Sequence, residues 1–326
     1  RGLLLLHHTL SVVPFYGKDL DHSIRANIDA WQKQLVPLVS LLPNPDAVQF
    51  QVFSSDGRRL LRVYKNHNDT AEIWDVEQGK PITGPLKHAA TVCIANFSPD
   101  GNRILTGTND GNKSELKLWT VTDEPLLKEG KSWNCEGPVT VAAFAPDSKT
   151  VVTGSDDQSL RSWDTSTFTK LGEKQAAGPV LAVAFSPDGQ TVATGTANGK
   201  VEVWKSSSLS PEEWQPEAPH LKSDAGKVRT VAFALGGKRL LALIQDEQQG
   251  IGDVPVWETT TGCFVENLNK TSWGIKAMAI SREGRHVLTG AGDYSAQLWE
   301  VGEQTLTIKT VLRHEDGINA VAFSPD

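Results

Sequence analysis

A single segment recurs along this chain, and a segment repeating at near-constant spacing limits the possible folds more than any local motif does. It reads VTVAAFAPDSKTVVTGSDDQSLRSWD at Val139–Asp164 and VLAVAFSPDGQTVATGTANGKVEVWK at Val180–Lys205. Looser copies run over Val92–Thr120 and Ile275–Glu300, and more divergent ones over Val48–Asp75 and Val228–Glu258. A seventh begins as INAVAFSPD at Ile318. The residue before the turn (Phe53, Phe97, Phe144, Phe185, Phe233, Ile280, Phe323) advances by 44, 47, 41, 48, 47 and 43 residues. A second anchor falls at Trp74, Trp119, Trp163, Trp204, Trp257 and Trp299, so one structural position accounts for six of the ten tryptophans.

Each copy is strand-like. The V-x-x-V-A-F run is rich in β-formers, and S-P-D-G is a turn in which Pro presets φ and Gly accepts positive φ. A second short run follows, as at Thr150–Thr153, then a polar turn such as Ser155–Gln158, then a third run that ends at the Trp. A weaker fourth strand fits the variable stretch before the next copy, for example Ile82–Leu86 or Leu306–Val311. A lone four-stranded sheet of this size leaves a face uncovered. Radial stacking of such sheets covers the faces and leaves only short edges.

This pattern resembles the WD-repeat family of β-propellers over residues 36–326. The WD dipeptide itself survives at Trp74–Asp75 and Trp163–Asp164, and the family's Gly-His pair is absent, although His88 and His314 stand where its His belongs. The resemblance implies a buried hydrogen-bond chain, which maps best onto His88, Thr106, Asp110 and Trp119. Repeat three keeps Thr153, Asp157 and Trp163 without a His, and repeat four keeps Thr194 and Trp204 with Asn198 at the acidic position. The expected fold is all-β, a propeller of six full blades plus an incomplete seventh that stops at the C-terminus. Leu38–Leu42 is expected to supply an outermost strand to that last blade.

The first residues follow another period. Leu20, Ile24, Ile28, Trp31 and Leu35 share one helical face behind a candidate N-cap at Asp19, and Arg1–Val13 reads as a second helix stopped by Pro14. Residues 1–35 are thus expected to form a helical hairpin, similar to the end of a tetratricopeptide-like region. The lead-in DLDHSIRANIDAWQKQLVPL before WD repeats also resembles a region of large bacterial serine/threonine kinase-type proteins. Beginning at Arg1 and stopping at FSPD, the chain reads as a piece of a longer one.

Catalytic motifs do not appear. There is no GxGxxG, HRD or DFG, no GxxxxGK[ST], no HExxH and no G-x-S-x-G. Cys93, Cys135 and Cys263 lie far apart with no CxxC, which indicates neither a zinc cluster nor a disulfide framework. No metal or cofactor is expected. A net charge of −7 disfavours non-specific nucleic-acid binding, and the apolar stretch Leu3–Val13 is too short to cross a bilayer. The compartment stays open, with the cytoplasm as default unless a membrane helix precedes.

What remains is a platform for protein partners, or the sensor region of a larger kinase, against a propeller enzyme. An enzyme would need convergent acids or histidines at the channel mouth. The second positions of the first strands are Gln49, Cys93, Thr140, Leu181, Arg229, Lys276 and Asn319, with no such group among them. Arg229 and Lys276 are a basic pair on an acidic chain and suit an acidic or phosphorylated peptide. Trp133 and Trp273, in the connections before two first strands, either anchor a partner or pack over a neighbouring blade. Arg229, Lys276, Trp273 and Trp133 are the candidate partner-binding residues.

Overall fold

The computed structural model describes residues 48–64, 69–111, 113–121, 127–207, 226–246, 252–268, 274–314, 317–318 and 320–323. The expected helical hairpin (1–35) and the strand at Leu38–Leu42 lie outside them, as do Trp214, Trp273 and Asn319.

The described chain forms six antiparallel sheets, one per repeat. The third is the plainest: Val139–Phe144, Thr150–Ser155, Ser159–Asp164 and Lys170–Gln175 pair in sequence order. The second (from Val92–Phe97 to Leu127–Glu136) and the sixth (from Ile275–Ile280 to Leu306–Arg313) follow the same order. The fourth shows three strands, from Val180–Phe185 to Val201–Lys205. The fifth runs from Lys227–Ala234 to Phe264–Asn267, with Gly252–Asp253 as an extra short strand. In the first sheet the strand expected over Ile82–Leu86 is replaced by two short ladders, Lys80–Pro81 and Leu86–Lys87. Pro81 and Pro85 lack the N–H groups that a continuous ladder there requires.

The sheets stack through apolar faces, and the first strands of successive sheets touch one another. Each apolar cluster joins one sheet to the next. Trp119 packs with Leu61 and Ile73 of the first sheet, Trp163 with Leu105 and Leu118 of the second, and Trp204 with Val152 and Leu160 of the third. Trp257 and Trp299 do the same against the fourth and fifth sheets. The fold is therefore the all-β propeller that the repeats imply. The six anchors are 1–7% exposed, which explains why the position demands the largest apolar side chain.

In the first, second, fourth and sixth sheets the turn after the first strand is built around a serine that accepts a backbone N–H. In the second repeat Gly101 holds φ 72°, and Arg103 N–H donates to Ser98 Oγ at 2.9 Å. Neighbouring turns are linked in series: Asp100 N–H donates to Ser148 Oγ at 3.2 Å, and Leu235 N–H to Gly284 O at 2.7 Å. The seventh repeat contributes residues 318 and 320–323 to the described structure. Ile318 and Val321 join the sixth sheet's Leu288 and Ala296, as Val228 and Val231 of the fifth sheet cover Ala193 of the fourth. The described part of this segment has the packing of a next first strand but no strand ladder beside it.

Candidate interaction surface

The first strands share an irregularity that the sequence does not announce. Their ladders shift register at Gln49, Cys93, Thr140, Leu181, Arg229 and Lys276, so each of these is a bulged residue. A bulge adds one residue to one strand, bends it and re-aims the side chain. The residue just before it is locked in the core: Val92, Val139, Val180 and Val228 are fully buried and Ile275 nearly so. The six bulges thus form one rim on a rigid base, at the same end of every first strand.

The rim side chains divide by length and charge. Cys93 Sγ–H lies 3.5 Å from Gly107 O and 3.7 Å from Val139 O of the next sheet. Burial pushes its thiol up to about 11, so it is a packed group and not a thiolate nucleophile. Thr140 Oγ–H donates to Gly154 O at 3.1 Å and also meets Val180 O of the next sheet. These short side chains stitch one sheet to its neighbour. Gln49, Arg229 and Lys276 are exposed.

The seam between the fifth and sixth sheets differs from those that follow the third and fourth. Gly154 and Gly195 sit in second strands where any Cβ would collide with Val180 and Val228 of the next first strand. The fifth sheet has Leu243 at that place, 3% exposed and packed in the cluster that includes Ile275. The leucine interposes a side chain where the third and fourth sheets approach backbone to side chain, as Val63 does in the first sheet against Val92. Gln245, two residues on, spans the seam with its amide: Nε2 donates to Ile275 O at 3.2 Å and to Lys276 O at 2.9 Å. Arg229 and Lys276 stand on the two sides of this seam.

The other candidate residues lie elsewhere. His88 Nε2 is 2.7 Å from Thr106 Oγ1 and its Nδ1 is 2.9 Å from Leu86 O, while Trp119 Nε1–H donates to Thr106 Oγ1 at 2.8 Å. The Asp110 carboxylate accepts Lys113 N–H at 2.7 Å in its own turn. Burial, then the nearby Lys117 charge, holds the His88 imidazole below its ordinary value. The Trp-to-Thr bond recurs at Trp163–Thr153 (2.9 Å), Trp204–Thr194 (2.9 Å) and Trp299–Thr289 (3.0 Å). In the first sheet Arg62 replaces the Thr. Its guanidinium stacks 4.6 Å from the Trp74 ring, and Trp74 Nε1–H donates to Glu72 at 3.1 Å. In the third repeat Cys135 occupies the position of His88, and burial pushes its thiol up to about 12.

Trp133 is not in a connection. It belongs to the outer strand Leu127–Glu136 and is half-buried, 6.1 Å from the Trp163 ring and 5.2 Å from that of Phe168. It packs against those two rings of the neighbouring blade. Trp273 lies outside the described residues. Among the described residues, no group of three or more His, Cys, Asp or Glu could hold a metal ion, and no helix is long and apolar enough to cross a membrane.

Comparison with known families and proteins agrees with the repeat architecture. The model of the WD domain, G-beta repeat, matches residues 79–112, 128–164 and 168–205. An uncharacterized WD repeat-containing protein of Deinococcus radiodurans is 31% identical over 99 residues, which are 27% of this chain and 36% of that protein. The match thus spans about a third of the relative's length.

Proposed function

This chain is a WD-repeat protein, and from that premise we propose that it is a non-catalytic platform that captures protein segments on its bulged rim. We further propose that the seam of the fifth and sixth sheets selects an acidic or phosphorylated segment. The observation that carries the reading is the placement of Arg229 and Lys276. Both are exposed bulged residues at equivalent positions of adjacent first strands, on a chain of net charge −7.

The physical case is one of preorganisation. Arg229 follows the buried Val228 and Lys276 the buried Ile275, so the two cations are presented from fixed backbone. An arginine fork and a lysine ammonium both donate charge-assisted hydrogen bonds to carboxylate or phosphate oxygens. Gln245 Nε2 is engaged by two carbonyls of the sixth sheet's first strand, which ties the two sides of the seam together.

The test is quantitative capture of partners from the source organism with wild-type protein and with Arg229→Glu/Lys276→Glu. The account expects the partner set to be lost at an unchanged melting temperature. An unchanged partner set would remove this seam as the binding site.

A further inference from the structure

We infer that Tyr294 is the apolar anchor of the rim site, so that the captured segment carries a large apolar residue two or three positions from its acidic or phosphorylated one. This rests on the rim reading above and adds to it the second contact that the segment makes. Among the described residues the exposed large hydrophobics are Leu171, Tyr294, Ile308 and Val311. Leu171, Ile308 and Val311 belong to the outer strands Lys170–Gln175 and Leu306–Arg313. Tyr294, 50% exposed, stands instead in the turn between the sixth sheet's second and third strands, His286–Ala291 and Ser295–Val301.

That turn lies at the rim end of its sheet. Ala291, which leads into it, pairs with Ile275, the residue before the Lys276 bulge. Gly292 N–H then donates to Gly274 O at 3.3 Å. Lys276 Nζ and Gly292 O border one space: they lie 3.6 and 3.9 Å from the point where a Cβ on Gly317 would stand. Neighbouring strands are about 4.8 Å apart, so about 7–10 Å separate the Lys276 and Tyr294 backbones, a span of two or three extended residues.

The turn itself gives no reason for a tyrosine. Gln158 and Gly199 hold its position in the third and fourth sheets, and all three residues have positive φ (70°, 78° and 67° for Tyr294). Glycine accepts that conformation freely, whereas a bulky side chain there is an outlier. The bonds that build the turn do not use the ring. Asp293 Oδ1 accepts Ser295 N–H at 3.1 Å and Ser295 Oγ–H at 2.5 Å, and the Tyr294 carbonyl accepts His314 N–H at 2.8 Å. They hold an exposed aromatic on pinned backbone, next to a cation. Backbone strain kept at an exposed ring is accounted for by a contact that the ring makes with a partner, and the fixed backbone lowers the ordering cost of that contact.

The probe is an arrayed peptide library with glutamate, phosphoserine or alanine fixed at the centre and each flanking position varied, overlaid with the whole chain. The wild-type chain should select the acidic centre and, two or three positions to one side, a large apolar residue. Tyr294→Gly should keep the acidic selection, lose the apolar one, bind the best peptide about tenfold more weakly and melt within a degree or two of wild type. An apolar preference that Tyr294→Gly retains, or a melting temperature many degrees lower, which assigns the ring to packing, would overturn the inference. Arg229→Glu/Lys276→Glu separates the two readings, since it should abolish the acidic selection. Acidic selection without an apolar one in the wild-type chain overturns this inference and spares the rim reading. Binding indifferent to the acidic centre, or no peptide selected, overturns the rim reading and this inference with it.

Discussion

The Arg282 guanidinium, in the turn of the sixth sheet, donates to the Ser55 carbonyl in the turn of the first at 3.3 Å. Equivalent turns touch along the rest of the series, as where Asp100 meets Ser148 and Leu235 meets Gly284. Arg282 therefore links the last complete sheet to the first at this end of the propeller. Beside that link, Ile318 and Val321 of the seventh repeat lie on the sixth sheet.

That docking makes Gly290 a sensitive position. A Cβ there would stand 2.5 Å from Ile318 Cγ2 and 3.0 Å from Val321 Cγ1. Gly290→Ala is expected to destabilise the chain by about 1–3 kcal/mol through overpacking. Gly84→Ala, where a Cβ meets nothing within 4 Å, should be near neutral. Denaturant unfolding of both variants checks this. Equal midpoints would mean that the seventh repeat does not seat on the sixth sheet.

The anchor tryptophans support a second expectation. Trp163 is 7% exposed and lies between the second and third sheets. Trp163→Ala should cost about 3–5 kcal/mol. Thr153→Val keeps the packing volume but removes the acceptor of the indole N–H, and should cost about 1–3 kcal/mol. Equilibrium unfolding measures both, and a Thr153→Val midpoint equal to wild type would assign the anchor to packing alone.

His88 gives a pH dependence with a definite sign. Burial and Lys117 hold its imidazole below the ordinary 6.5, so on acidification the unfolded chain takes up this proton before the folded one does. Its contribution is complete above the ordinary value and is lost as pH falls through that value toward the folded one. His88→Gln should therefore narrow the stability difference between about pH 5 and about pH 8. An identical difference in both proteins would show that His88 does not titrate in this window.

Much of this fold was legible because one position in each repeat is filled by the same bulky residue. Six Trp at near-constant spacing state both the number of sheets and the joints between them. The Thr153–Trp163 and Thr194–Trp204 partners were implied by the family resemblance and not by the spacing. The bulges were not legible, because a bulged residue leaves the alternation of its strand readable and touches the next sheet only in space. The Leu243 and Gln245 arrangement was hidden for the same reason: a Leu near the end of a hydrophobic strand looks ordinary until its glycine counterparts in the third and fourth sheets, Gly154 and Gly195, are seen beside it. Trp133 was misplaced into a connection because its strand, Leu127–Glu136, carries Lys, Glu and Gly and lacks a clean apolar alternation. A polar outer strand reads as a loop.

The most direct test of the platform account is native-state hydrogen exchange on the chain, free and with a captured partner bound. The account predicts added protection at the bulged ends of the first strands, strongest around Arg229 and Lys276 and falling off toward the outer strands. Protection confined to outer strands or to the turns around Ser55 and Ser148, with the Arg229–Lys276 seam unchanged, would contradict it.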